Sequence, residues 1–225
     1  MKVLASLAMK AAYLDLAPPY ERLHKVKIDT EWAGMVDIRK RMLAGERVDA
    51  VIGSAALIDD LTRIGAVDSR SKVDLVKSGI GAAVRKGANK PDLRSVDAFK
   101  AALLGAKSIV YSSGPSGVYL AELFQRLGIA EQLKGKASQA PPGVLVAELV
   151  AKGQFELCFQ QLPELRQVSG IDYAGPLPAE VQQVTVFTGG LHSKATEAQA
   201  AGDWLRHLAS RDAEPIIRKH GMEPA

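Results

Sequence analysis

The stretch Tyr111-Ser112-Ser113-Gly114-Pro115-Ser116-Gly117-Val118-Tyr119 concentrates the residues best able to do chemistry. The apolar run Ser108-Ile109-Val110-Tyr111 ahead of it reads as a buried strand, and residues 118–127 read as an amphipathic helix stopped by Gly128. A strand that feeds a helix through hydroxyls and glycines presents unpaired N–H groups and a partial positive charge, which suits an anion. The same turn also fits an ordinary Ser-capped helix. Three further turns share the design: Ser6-Leu7-Ala8, Glu31-Trp32-Ala33-Gly34-Met35 and Gly53-Ser54-Ala55. Each alone is more often structural. Four of them at one sheet edge would make a polar ligand cleft. Gln160-Gln161 closes an apolar run where the helix-like Leu162-Pro163-Glu164-Leu165 begins, so these amides either bind a ligand or cap a helix. Trp32 is a core or rim aromatic, or a wall of the cleft. Lys10, Arg39, Lys86 and Arg166 are candidate countercharges, although a solvated surface position is the commoner use of such residues.

Other chemistries lack their signatures. Gly79-Ile80-Gly81 has no third glycine for a dinucleotide fingerprint, and no Walker A or Gly-x-Ser-x-Gly pattern occurs. His24, His192, His207 and His220 lack zinc spacing, so no metal or cofactor is expected. Cys158 is the only cysteine, which excludes an intrachain disulfide and reads as a packed thiol. With 47% hydrophobic and 24% charged residues, the 225-residue chain reads as an ordinary globular protein. Its net charge of +4 is interleaved with acids and its aromatics are only 5%, which argues against a nucleic-acid surface. No apolar run approaches a membrane span. The first nine residues briefly look like a signal peptide, but Lys10 and Asp15 interrupt them, and a strand over 3–6 running into a helix fits better. As written the chain reads as cytoplasmic. A trimmed leader would leave the same sequence and place it in the periplasm.

Strand-like runs alternate with helix-like runs. Helices are expected over 35–44, 56–64, 96–104 and 144–152, each followed by a glycine at 45, 65, 105 or 153 that suits a left-handed helix end. Strands are expected over 3–6, 26–31, 50–53, 73–76, 81–85, 108–111, 157–159, 171–174 and 184–188. Their continuous apolar character predicts an α/β fold with mostly parallel sheets covered on both faces. Two places look like crossings between lobes: the flexible 77–81, and the extended 182–188 followed by Gly189-Gly190. They divide the chain into a first lobe of residues 1–79 plus 188–225 and a second of residues 80–187.

These turns, in this order, resemble the substrate-binding proteins of the type 2 periplasmic-binding fold, especially the molybdate-binding-like branch. The resembling elements include Ser6, Val48-Asp49-Ala50-Val51-Ile52-Gly53-Ser54, the run 78–87, Val96-Asp97-Ala98-Phe99-Lys100, the 111–119 turn, Glu148-Leu149-Val150-Ala151-Lys152-Gly153 and the tail 217–224. The resemblance implies two α/β lobes closing on a small anion. The site would use Ser6, Gly34, Ser54, Ser113, Ser116 and Gly117, with Gln161 as a supporting amide. It also implies a membrane transporter as partner if the protein is exported. The second turn lacks the hydroxyl expected in that branch, and Gln160-Gln161 stands where a tyrosine is common. Both departures admit a larger anion such as a di- or tricarboxylate. The same fold resembles an aconitate isomerase, so isomerisation of an unsaturated di- or tricarboxylate is the alternative. Such a proton shift needs a general base, for which Lys10, Glu164, His192 and Tyr111 are the available types.

Overall fold

A computed structural model describes all residues, 1–225. In chain order the elements are β1 (Lys2–Ser6), α1 (Lys10–His24), β2 (Asp29–Ala33), α2 (Met35–Leu43), β3 (Ala50–Ser54), α3 (Ala55–Arg63) and β4 (Val73–Arg85). Then come α4 (Val96–Gly105), β5 (Ile109–Tyr111), α5 (Pro115–Arg126), α6 (Ala130–Leu133), β6 (Ala137–Gln139), α7 (Val146–Ala151), β7 (Leu157–Gln161), α8 (Leu162–Arg166) and β8 (Ile171–Pro176). The chain ends with β9 (Val184–Leu191), α9 (Ala198–Leu208), α10 (Glu214–Lys219) and β10 (Glu223–Pro224). Two compact units result: Met1–Ser78 with Thr185–Ala225, and Gly79–Val184.

In the first unit β1 lies parallel between β2 and β3, and β9 runs antiparallel to β3. Side chains alternate across this sheet as the pleat requires. Val3, Ala5, Ala50 and Ile52 join one core with Tyr13, Phe187 and Trp204. Leu4 and Val51 join the opposite core with Ile38, Ile58 and Leu61. In the second unit β5 lies parallel between β6 and β7, while β7 and β8 pair antiparallel with the second half of β4. Phe99, Phe159 and Leu123 fill one face; Val110, Cys158 and Ala147 fill the other. Both sheets are therefore mixed. They are parallel where a helix connects neighbouring strands, and antiparallel at β4 and β9, the strands on which the chain passes from one unit to the other.

Local details differ from expectation for identifiable reasons. Residues 77–81 are not a loop: they continue β4, which runs without a break from Val73 to Arg85. The Gln182 side chain secures this strand at Ile80, accepting from its N–H at 2.8 Å and donating to its carbonyl at 3.0 Å. The strand expected over 26–31 begins three residues later because residues 25–28 close α1 instead. Lys25 takes a left-handed conformation (φ 54°), Val26 N–H returns to Glu21 O, and Ile28 N–H donates to the Glu21 carboxylate at 2.7 Å. Gly45, Gly65 and Gly153 do take the left-handed helix end, with φ of 81°, 76° and 75°. Gly105 does not; it is the last residue of α4 itself. Gly189-Gly190 lies inside β9, where a Cβ would come within 2.5 Å of Leu205 and 2.6 Å of Val67 respectively.

Asp49 fastens the first unit together. Its buried carboxylate accepts from Lys2 N–H at 2.7 Å, from the N–H and hydroxyl of Thr196, and from Glu197 N–H at 2.9 Å. Burial opposes its ionisation, yet the donors of Glu197, Lys2 and Thr196 hold it below the ordinary carboxylate range. A carboxyl lowered on folding contributes stability above its unfolded pKa, and that contribution is lost as pH falls through the folded value. Asp49→Asn is expected to cost about 2 kcal/mol in chemical denaturation at pH 7. The gap to the wild type should narrow as pH falls below about 4. A gap of constant size across that range would show that charge plays no part.

Candidate functional site

The first unit gathers three of its turns at one sheet edge. Because β2, β1 and β3 are adjacent and parallel, with Ser6 opposite Ala33 and Ala5 opposite Ile52, their carboxyl ends come out together. Ser6 ends β1, Gly34 precedes α2, and Ser54 ends β3 and caps α3. The Ser6 hydroxyl accepts from Ala8 N–H and the Ser54 hydroxyl from Leu57 N–H, both at 3.3 Å. A serine oxygen offers two lone pairs and one O–H. Capping uses a lone pair, so each hydroxyl hydrogen remains available to an acceptor. Ser54 N–H is not bare, since it meets Met35 Sδ at 3.4 Å. Trp32 is half-buried against the core, edge-on to Tyr13 with ring centroids 5.0 Å apart.

The second unit repeats the arrangement with β5 and β7. These strands are parallel neighbours with Tyr111 opposite Phe159, so Ser112 and Ser113 leave the sheet beside Gln160 and Gln161. The helix after β5 begins at Pro115, three residues before the expected start, with Gly114 as its cap and no side-chain cap bond. Ser116 and Gly117 therefore lie in its first turn. No serine caps this helix. Instead the buried hydroxyls of Ser112 and Ser116 bond each other at 2.9 Å, and Ser113 is half-exposed in the turn. Gly117 is required by packing: a Cβ there would fall 1.5 Å from the Ser112 carbonyl oxygen. The start of α5 and the end of β5 thus touch backbone to backbone.

Beside that turn, Gln160 and Gln161 are both buried. Gln160 Oε1 accepts from Val146 N–H at 3.0 Å, which fixes the side-chain amide. Glu164, in the short helix α8, hydrogen-bonds to the Gln160 side chain and to the Gln161 backbone. The residue as a whole is half-buried, while its carboxyl is surrounded by protein and poorly hydrated. Burial pushes it up to about 7, against the lowering effect of both hydrogen bonds.

The other candidates divide clearly. His192 lies at the far end of β3 from Ser54, because β9 is antiparallel and Leu191 pairs with Ala50. About five strand residues, on the order of 16 Å, separate the two ends. Its Nδ1 accepts from Lys194 N–H, and burial lowers its pKa. Tyr111 stacks edge-on against Phe124, and burial raises its phenol. Arg39 is committed to Asp60 at 2.7 Å. Lys86 and Arg166 are exposed, and Lys10 is half-buried one 3₁₀ turn beyond Ser6. No His/Cys/Asp/Glu group is placed to hold a metal.

Two features were missed in the sequence. Pro115 at the first helical position marks a helix start and could have located α5. The link from Val146 through Gln160 to Glu164 has no local signal, because it joins residues 14 and 18 positions apart.

Two units of mixed sheet, each with hydroxyl and amide groups at a parallel-strand edge, define a two-unit α/β ligand-binding protein. The chain belongs to the bacterial extracellular solute-binding proteins, whose family profile matches residues 1–223. It is 39% identical to an aconitate isomerase of Pseudomonas sp over 230 residues, covering all of this chain and 87% of that protein. Its fold is that of the Azotobacter vinelandii periplasmic molybdate-binding protein, with a TM-score of 0.82 and 16% identity, over 99% of this chain and 98% of that one. The sulfate-binding protein SubI from Mycobacterium tuberculosis gives a TM-score of 0.80 at 15% identity, over 100% and 86% of the two chains. No helix is long and apolar enough to cross a membrane.

Gly117→Ala should cost about 3 kcal/mol or more, since a backbone carbonyl cannot yield as a side chain can. Gly114→Ala, whose Cβ meets only Ser112 Oγ at 3.8 Å, should cost about 1 kcal/mol. Denaturation midpoints of the two variants test this; equal loss would show that the close approach is relaxed in solution.

Proposed function

We propose that the protein binds a small anion, an oxyanion or a small carboxylate, as a solute-binding protein. The observation that carries this reading is the convergence of Ser6, Gly34 and Ser54 on the carboxyl ends of three adjacent parallel strands. Ser113, Ser116, Gly117 and Gln161 are the corresponding groups of the second unit. The recognition chemistry is neutral: capping hydroxyls with a free hydrogen, and N–H groups at the starts of α2, α3 and α5. Membership of an extracellular solute-binding family supports a periplasmic location and a membrane transporter as partner. No cofactor is assigned.

A second reading is favoured by one specific observation, the 39% identity to an aconitate isomerase along the whole of this chain. On that reading the ligand is an unsaturated di- or tricarboxylate and the protein moves its double bond. The side-chain amide of Gln161 suits a carboxylate, whose oxygens accept hydrogen bonds.

Thermal-shift screening against molybdate, sulfate, citrate and both aconitate isomers distinguishes the ligand classes, because a ligand that binds only the folded state raises the melting temperature. A shift with at least one anion is expected; none with any would remove the proposal. Ser113→Ala should then weaken binding about tenfold, with the melting temperature of the free protein nearly unchanged. Ser116→Ala should lower stability as well, because it leaves the buried Ser112 hydroxyl without its partner.

A further inference from the structure

Glu164 is the one carboxyl in the second unit that burial holds far above the ordinary carboxylate range, and no ion pair compensates it. Two hydrogen bonds hold its carboxyl in place, each favouring the charged form against that burial. Val146 N–H occupies the acceptor oxygen of Gln160, and only the NH2 of that amide is then left to donate to Glu164. Gln161 supplies the second bond from the backbone. A carboxyl needed only for solubility would sit in water, and one needed only for packing would serve better as glutamine. The turn carrying Ser113 leaves the same carboxyl edge of the sheet, because β5 and β7 are adjacent and parallel and α8, which carries Glu164, follows β7 directly. Glu164 therefore belongs to the same strand edge as the serine turn.

We infer that Glu164 is the catalytic residue that carries the proton in an allylic isomerisation of an unsaturated polycarboxylate. This rests on the isomerase reading above. The Glu164 carboxylate takes a proton from the methylene carbon flanking the double bond. The C–H electron pair forms a new double bond as the old one shifts toward the neighbouring carboxylate, giving a delocalised dienolate. The carboxylic acid of Glu164 then returns the proton to the carbon at the far end of the allylic system. One proton leaves and one is returned, so neither oxidant nor second reactant is needed. A group titrating near neutrality suits both halves of the step, being basic enough to accept and acidic enough to return. Gln160 is the positioning residue: it orients the carboxyl and does not touch the substrate.

The test uses the full chain with cis- and trans-aconitate in deuterated water, followed by proton NMR, with affinity measured by calorimetry. The wild type is expected to interconvert the isomers. Glu164→Gln should slow this about 10²–10⁴-fold, while aconitate affinity stays within about threefold, well under 1.4 kcal/mol. Glu164→Asp should retain part of the rate. Because Glu164 is raised on folding, it withdraws stability as pH rises through about 7, so Glu164→Gln should melt no lower than the wild type at pH 8. That result excludes misfolding as the cause of lost activity. An active wild type with an equally active Glu164→Gln variant overturns the assignment and leaves the isomerase reading intact. Loss of binding in step with rate makes Glu164 a ligand-holding group and also overturns it. A wild type that binds aconitate yet leaves both isomers unchanged overturns the isomerase reading and this assignment together.

Discussion

The Ser112 carbonyl oxygen stands where a side chain at position 117 would begin. That approach presses the end of β5 against the first turn of α5, and it brings the Ser112 and Ser116 hydroxyls to 2.9 Å. With Gly114 as cap and Pro115 as first residue, the helix opens as close to the strand as backbone geometry permits. Everything at the second unit's strand edge is placed relative to this join. Ser113 is half-exposed, and the neighbouring β7 delivers Gln160 and Gln161 beside it, with Glu164 following in α8.

The two units reach similar edges by different means. In the first, serines at strand ends cap their own helices and keep a hydrogen for an acceptor. In the second, the serines bond each other, and the Gln160 amide beside them is fixed by the distant Val146 N–H. Stability sits elsewhere. Asp49 ties the start of β1 to the segment before α9, at the end of β3 away from Ser54. Gln182 supports β4 at Ile80. These two fastenings lie apart from the serine-bearing strand ends.

Most of the architecture was legible from local signals. Continuous apolar runs marked strands buried on both faces, as at Val51 and Val110. Ser54 and Ser95 marked helix starts, and both do cap, Ser95 from Ala98 N–H at 3.2 Å. What escaped was set by partners far along the chain. The break expected at 77–81 vanished because Gln182, a hundred residues on, and strands β7 and β8 hold that segment extended. The candidate bases could not be ranked, since His192 and Glu164 look alike as isolated letters. Only strand direction separates them, carrying one to the far end of β3 and the other to the edge beside Ser113.

The lone thiol has a practical side. Cys158 is fully buried in β7, and burial pushes it up to about 12, so at neutral pH almost none of it is the reactive thiolate. The folded chain is thus a clean background for covalent labelling. A cysteine introduced at Val118, exposed on α5 two residues beyond Ser116, would be the one site open to a maleimide dye. A dye placed there would report on the surroundings of the serine turn alone.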